Sequence, residues 1–149
     1  MMILDYDLSH AHEDYLEAIY LLSEDFVDEG VKSVDIAHQL NVSKASVNKA
    51  LNVLKEAGYV EQEHYGKITL TPEGIEYGKE VLDRHRLLRS FLIHQLGVDP
   101  EVANDEACEM EHAISKDTVD KWIAYLRRCS DCEKNREFLA KIQEAPENN

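Results

Sequence analysis

SVDIAHQLNVSKASVNKALNVLKEAGYVEQEHYGKITLTPEG, residues 33–74, decides how this chain folds. Residues 33–40 read as a short helix with Ser33 as its cap. Asn41–Val42 is a tight link. Ser43 caps a further helix to about Ala57, whose Val47, Ala50, Leu51 and Leu54 recur at helical spacing. Gly58 is a stop signal. In residues 59–71, Val60, Ile68 and Leu70 alternate with polar residues around the turn Tyr65-Gly66-Lys67, which predicts a β-hairpin. Two short helices joined by a tight link and followed at once by a hairpin make a winged helix-turn-helix.

The helix that follows Ser43 is then the recognition helix. Ser43, Lys44, Ala45, Ser46, Asn48 and Lys49 at its start are small or hydrogen-bonding. Such residues can enter a major groove and reach base edges or phosphates. Lys67 and His64 on the wing are placed for phosphate or the minor groove. The expected partner is a double-stranded DNA operator.

Outward from this segment, Ser9 caps a helix over residues 9–24 carrying Tyr15, Leu16, Ile19, Tyr20 and Leu22. An acidic loop covers residues 24–30. After the hairpin, Pro72 opens a helix of about 25 residues that Gly97 ends, long enough to connect two units. Asp99-Pro100 starts another to about Ile114. Ser115 and Asp117 start one through Cys129, and a last weak helix covers residues 133–142. Trp122 and Tyr125 are expected in the core or a dimer interface. The fold class is mostly α with a small β-wing. The chain is expected to divide into a winged helix over 1–71 and a helical unit over 72–144, with a disordered tail at 145–149.

Composition narrows the classes of function. The chain has 149 residues, 44% hydrophobic and 31% charged, which suits a soluble globular protein. It contains no apolar run near bilayer length, so no membrane association is expected. With no Lys or Arg before Lys32 and only three cysteines, neither a signal peptide nor a disulfide framework is expected, and the default compartment is the cytoplasm.

The net charge of −14 argues against a general nucleic-acid binder but permits one whose basic groups are gathered on one element. Residues 1–31 hold nine acids and no Lys or Arg, whereas residues 32–58 carry a local net of +2.

The acids suggest a cation. Asp14 and Glu17 sit at i and i+3 on the first helix. Cys108, Glu111 and His112 sit at i, i+3 and i+4 of another, and His85 lies on the long helix among Arg84, Arg86 and Arg89. Three carboxylates, two imidazoles and one sulfur would make a first-row transition-metal site. Carboxylates suit Mn²⁺ and Fe²⁺, whereas imidazole and thiolate favour Fe²⁺, Co²⁺, Ni²⁺ and Zn²⁺.

Rival readings have specific weaknesses. A di-metal carboxylate enzyme needs two Glu-x-x-His pairs facing a bundle core. Glu109 and His112 supply one, but Glu61 and His64 fall in the hairpin, so no enzyme is expected. Cys129 and Cys132 form a CxxC that lacks the partners of a zinc site. The alternative to a metal sensor is a winged-helix regulator that responds to redox, through Cys108 or the CxxC, or to a small molecule.

EDYLEAIYLL, the helix-turn-helix, LTPEG, DRHRLL and DEACEMEHAIS, in this order from about Ala11 to Arg128, resemble the diphtheria toxin repressor and manganese transport regulator family. The resemblance implies a homodimeric, metal-activated transcriptional repressor of metal uptake or homeostasis genes, of the shorter two-domain branch.

The family's ligand positions fall on Asp14, Glu17, His85, Cys108, Glu111 and His112. Asp14 is the manganese-type residue, where iron regulators carry methionine. Cys108 is the iron-type residue, where manganese regulators carry glutamate. The chain is a hybrid at the two positions that separate the branches, so Mn²⁺ or Fe²⁺ is the implied effector, with Co²⁺, Ni²⁺ or Zn²⁺ as in-vitro substitutes. The ancillary site of the iron regulators falls on Arg89 and Asn104. A cation cannot ligate a metal, so that site is expected to be absent. A two-metal cluster sharing Glu17 and Glu111 remains open.

Overall fold

The computed structural model describes residues 8–25, 29–63, 66–128 and 140. His64, Tyr65, the Cys129/Cys132 pair, the tail 145–149 and, apart from Ala140, the expected helix over 133–142 lie outside them. The chain divides into two compact units between Lys79 and Glu80.

The first unit holds α1 (His10–Asp25), α2 (Ser33–Leu40), α3 (Lys44–Glu56), β1 (Val60–Gln62), β2 (Ile68–Leu70) and the first turns of α4 (Pro72–His94). Ser9 Oγ accepts from His12 N at α1's start. Asn41, left-handed at φ 53°, turns the chain between α2 and α3. Ser43 caps α3 by accepting from Ser46 N. Gly58, at φ 82°, follows α3's last turn as the stop signal requires.

The α2 cap differs from expectation. Ser33 is the first helical residue, and Lys32 takes the cap position with no side-chain bond. The cause is upstream. Val31 exchanges backbone hydrogen bonds with Ile68, so the chain stays extended through Val31 and turns helical only after Lys32, whose carbonyl accepts from Asp35 and Ile36.

The hairpin pairs Val60 with Leu70, Glu61 with Thr69 and Gln62 with Ile68. Val60 and Ile68 point into a core built from Leu16, Ile19, Val31, Ile36, Val47, Leu51 and Leu54. Each such side chain contributes roughly 1.5–3 kcal/mol on burial.

LTPEG locks the hairpin to α4. Thr71 Oγ1 donates to Gly58 O and accepts from Gly74 N, so it caps α4. Gly74 packs so closely on Tyr59 that a Cβ there would overlap the Tyr59 carbonyl.

The second unit holds the rest of α4, α5 (Pro100–Glu111) and α6 (Lys116–Arg128). Asp99 caps α5, with Pro100 at its start. The helix ends three residues before the expected Ile114. Ala113 N bonds Met110 O in a tighter turn, and Ser115 Oγ already accepts from Thr118 N at the start of α6. Leu87, Val119 and Leu126 form this unit's core, with Phe91 and Trp122 packed edge to face beside them. Tyr125 is exposed.

Candidate metal centre and nucleic-acid interface

In the first unit, Asp14 and Glu17 lie one turn apart on α1, both half-buried. Glu13 beside them is buried and accepts a hydrogen bond from Tyr77 Oη at 2.9 Å. Sequence reasoning missed this pair. The partners are 64 residues apart, and nothing local links them.

At the start of α3, the cap Ser43 and Lys44, Ala45, Ser46, Asn48 and Lys49 are all exposed, whereas Val47 among them and Ala50 after them are buried. The helix therefore offers solvent the polar face expected of a recognition helix. Lys67 on the wing is exposed as well.

In the second unit, α4 and α5 bring four of the expected ligands together. His85 Nδ1 lies 2.7 Å from Glu111 Oε2 and 3.7 Å from Cys108 Sγ. His112 Nε2 lies 3.4 Å from Glu111 Oε1. Cys108 and Glu111 share a face of α5, and His112 caps the helix end.

Burial alone would lower the pKa of His85. Its hydrogen bonds to Cys108 and Glu111, and their negative charge, overcome that and push it up to about 11. The cluster therefore holds a proton tightly where a cation would replace it.

Glu111 supplies the test of fit for a metal. Its side chain is fully buried, and Oε1, although 3.4 Å from His112 Nε2, makes no hydrogen bond to any described residue. A buried carboxylate oxygen left in this way is costly. An imidazole nitrogen, a thiol sulfur and this oxygen form a donor set suited to a divalent transition metal, so the residues fit one.

His85 has a further partner that the motif reading did not assign. Its Nε2 lies 3.1 Å from Asn104 Oδ1. The available signal was spacing, since Asn104, Cys108 and Glu111 stand at i, i+4 and i+7 on one stripe of α5.

A winged helix with a polar recognition face, joined to a helical unit with a metal-type donor cluster, defines a metal-dependent DNA-binding regulator. Residues 7–68 match the model of the iron dependent repressor N-terminal DNA binding domain, and residues 71–143 match that of the iron dependent repressor metal binding and dimerisation domain. The chain belongs to this family of metal-dependent transcriptional repressors, which includes the manganese regulators.

It is 37% identical over 127 residues to an HTH-type transcriptional regulator of Methanocaldococcus jannaschii, covering 83% of this chain and 98% of that one. It is 37% identical over 132 residues to the HTH-type transcriptional regulator MntR of Lysinibacillus sphaericus, covering 88% and 90%. Among solved structures, the manganese regulator SloR superposes with a TM-score of 0.68 at 29% identity, over 78% of this chain and 53% of SloR. The chain thus spans about half of that structure's length. Among the described residues no helix is long and apolar enough to cross a membrane.

Proposed function

We propose that the chain is a cytoplasmic, homodimeric repressor whose operator binding is switched on by Mn²⁺ or Fe²⁺ and which controls metal uptake or homeostasis genes. The observation that carries this reading is Glu111 Oε1, a buried carboxylate oxygen without a hydrogen-bond partner among the described residues, beside His85 and His112.

The proposed ligands are Asp14 and Glu17 from α1 together with His85, Cys108, Glu111 and His112. When bound, a divalent cation supplies the positive charge that offsets the carboxylates. Asp14 and Glu17, held to that charge, restrain α1, and through the shared core of the first unit they restrain α3. In a dimer this fixes two recognition helices for half-sites about one helical turn, or a multiple, apart. Ser43, Lys44, Ala45, Ser46, Asn48, Lys49 and Lys67 are the proposed DNA contacts. A coupling of about 1–3 kcal/mol is typical of such switches.

The test is an anaerobic titration of metal-free protein with Mn²⁺, Fe²⁺, Co²⁺ and Zn²⁺. DNA binding is read by fluorescence anisotropy at constant ionic strength, on a duplex selected from a random library in the presence of Mn²⁺. Metal-dependent binding is expected, with a metal order that changes in Cys108→Ala. Binding that ignores metal would leave a winged-helix protein without the sensor.

A further inference from the structure

We infer that Asn104 is a positioning residue for the metal centre, holding the His85 ring so that Nδ1 is the nitrogen offered to the cation. This rests on the reading of His85 as a ligand. An imidazole that binds a cation through one nitrogen keeps its proton on the other, and that N–H needs an acceptor.

The two edges of the His85 ring face different chemistry. Nδ1 is turned to Glu111 Oε2 at 2.7 Å and Cys108 Sγ at 3.7 Å, the other donors of the cluster. Nε2 is turned to Asn104 Oδ1 at 3.1 Å. A carbonyl oxygen only accepts, so Nε2 keeps an N–H towards Asn104, and Nδ1, whose neighbours are the other donors of the cluster, is the nitrogen whose proton a cation would displace. A half-turn of the ring would put carbon where each nitrogen stands and lose these contacts.

Asn104 reaches His85 from the same stripe of α5 that carries Cys108 and Glu111. One rigid helix therefore supplies two ligands and also orients a third ligand on α4. Asn104 itself is exposed, so replacing it leaves the core intact, and water can take over part of its role. The expected loss of metal affinity is accordingly about tenfold, the low end for groups that orient a ligating histidine.

The experiment compares the full chain with Asn104→Leu, which removes the acceptor, and Asn104→Asp, which keeps it. Mn²⁺ and Zn²⁺ affinities are measured by competition with a chelating dye, and thermal melting of the metal-free proteins checks that the fold is unchanged. Ring ¹⁵N shifts of His85 in the zinc-loaded wild type report which nitrogen carries the proton.

Asn104→Leu is expected to weaken both metals about tenfold without changing the melt, and Asn104→Asp to bind at least as tightly as wild type. The shifts are expected to show a protonated Nε2 and a metal-bound Nδ1. Unchanged affinity in Asn104→Leu, or zinc on Nε2, overturns this inference alone. A wild-type chain that takes up neither ion overturns the ligand reading of His85, and this inference with it.

Discussion

If Cys108 is a ligand, as proposed, it is the side chain that chooses the effector. Its sulfur lies against the His85 ring on the side that faces Glu111. A soft thiolate there favours Fe²⁺, Co²⁺ or Zn²⁺ over Mn²⁺, which prefers oxygen. Cys108→Glu is therefore expected to raise the Mn²⁺/Fe²⁺ affinity ratio by about an order of magnitude, an estimate from ligand softness. Anaerobic competition titration measures it, and an unchanged ratio would remove Cys108 from the ligand set. His85 makes a second prediction, for the metal-free protein. Its folded pKa is raised to about 11, so the folded state holds the proton more tightly than the unfolded chain. That stabilisation is fully present below the usual histidine value near 6.5 and is lost as pH climbs towards 11. Urea midpoints taken with chelator present should fall between pH 7 and 10, and Glu111→Gln should flatten the slope. The proposed ligands of α5 could be placed by spacing, because Cys108 and Glu111 share a helix face. Asn104 stands on the same stripe, but spacing alone does not show its contact, which depends on a ring brought to it from α4.

At the level of elements, two of the contacts that hold the winged helix to the start of α4 can be tested singly. Gly74 sits against the Tyr59 carbonyl, and a methyl group there meets backbone, which cannot move aside as a flexible side chain does. Gly74→Ala is expected to destabilise the fold by about 1–3 kcal/mol, the usual cost of overpacking, read as a lower denaturation midpoint. The hydrogen bond from Tyr77 to buried Glu13 ties α4 to α1. Tyr77→Phe keeps the ring, including its edge contact with Tyr59 at 5.1 Å, and removes only the hydroxyl. A bond to a carboxylate is worth about 1.5–3 kcal/mol, so a loss of that order is expected, and a neutral result would mean that water replaces the hydroxyl. The elements themselves were readable because their ends are chemically marked. Ser9, Ser43 and Asp99 cap starts, Asn41 and Gly58 turn the chain, and Pro72 opens α4. The α2 start was misplaced by one residue because a long-range bridge, Val31 to Ile68, decides it. Local chemistry favours Ser33, but the bridge prevails.

For the whole molecule the question is how a chain of net charge −14 binds a polyanion. The answer lies in placement. The described residues put Lys44 and Lys49 on the exposed face of α3 and Lys67 on the exposed wing, while acids dominate the chain elsewhere. If each lysine neutralises one phosphate, a dimer makes about six such contacts, and the slope of log K against log salt is about −5. Lys49→Ala, which removes a contact from each protomer, should make the slope shallower by about 2 and weaken selected and random duplexes alike. Asn48→Ala is the contrasting variant. An asparagine reads base edges, so its loss should cost about 1–3 kcal/mol on the selected duplex and little on random DNA, with the slope unchanged. Both are measured by anisotropy from 50 to 300 mM salt with saturating Mn²⁺. A shared response from the two variants would show that α3 lies on the backbone and does not enter the groove. On the proposed reading, the remaining acids would act as negative potential against non-specific DNA, so that binding would depend on the few contacts a metal-bound dimer aligns.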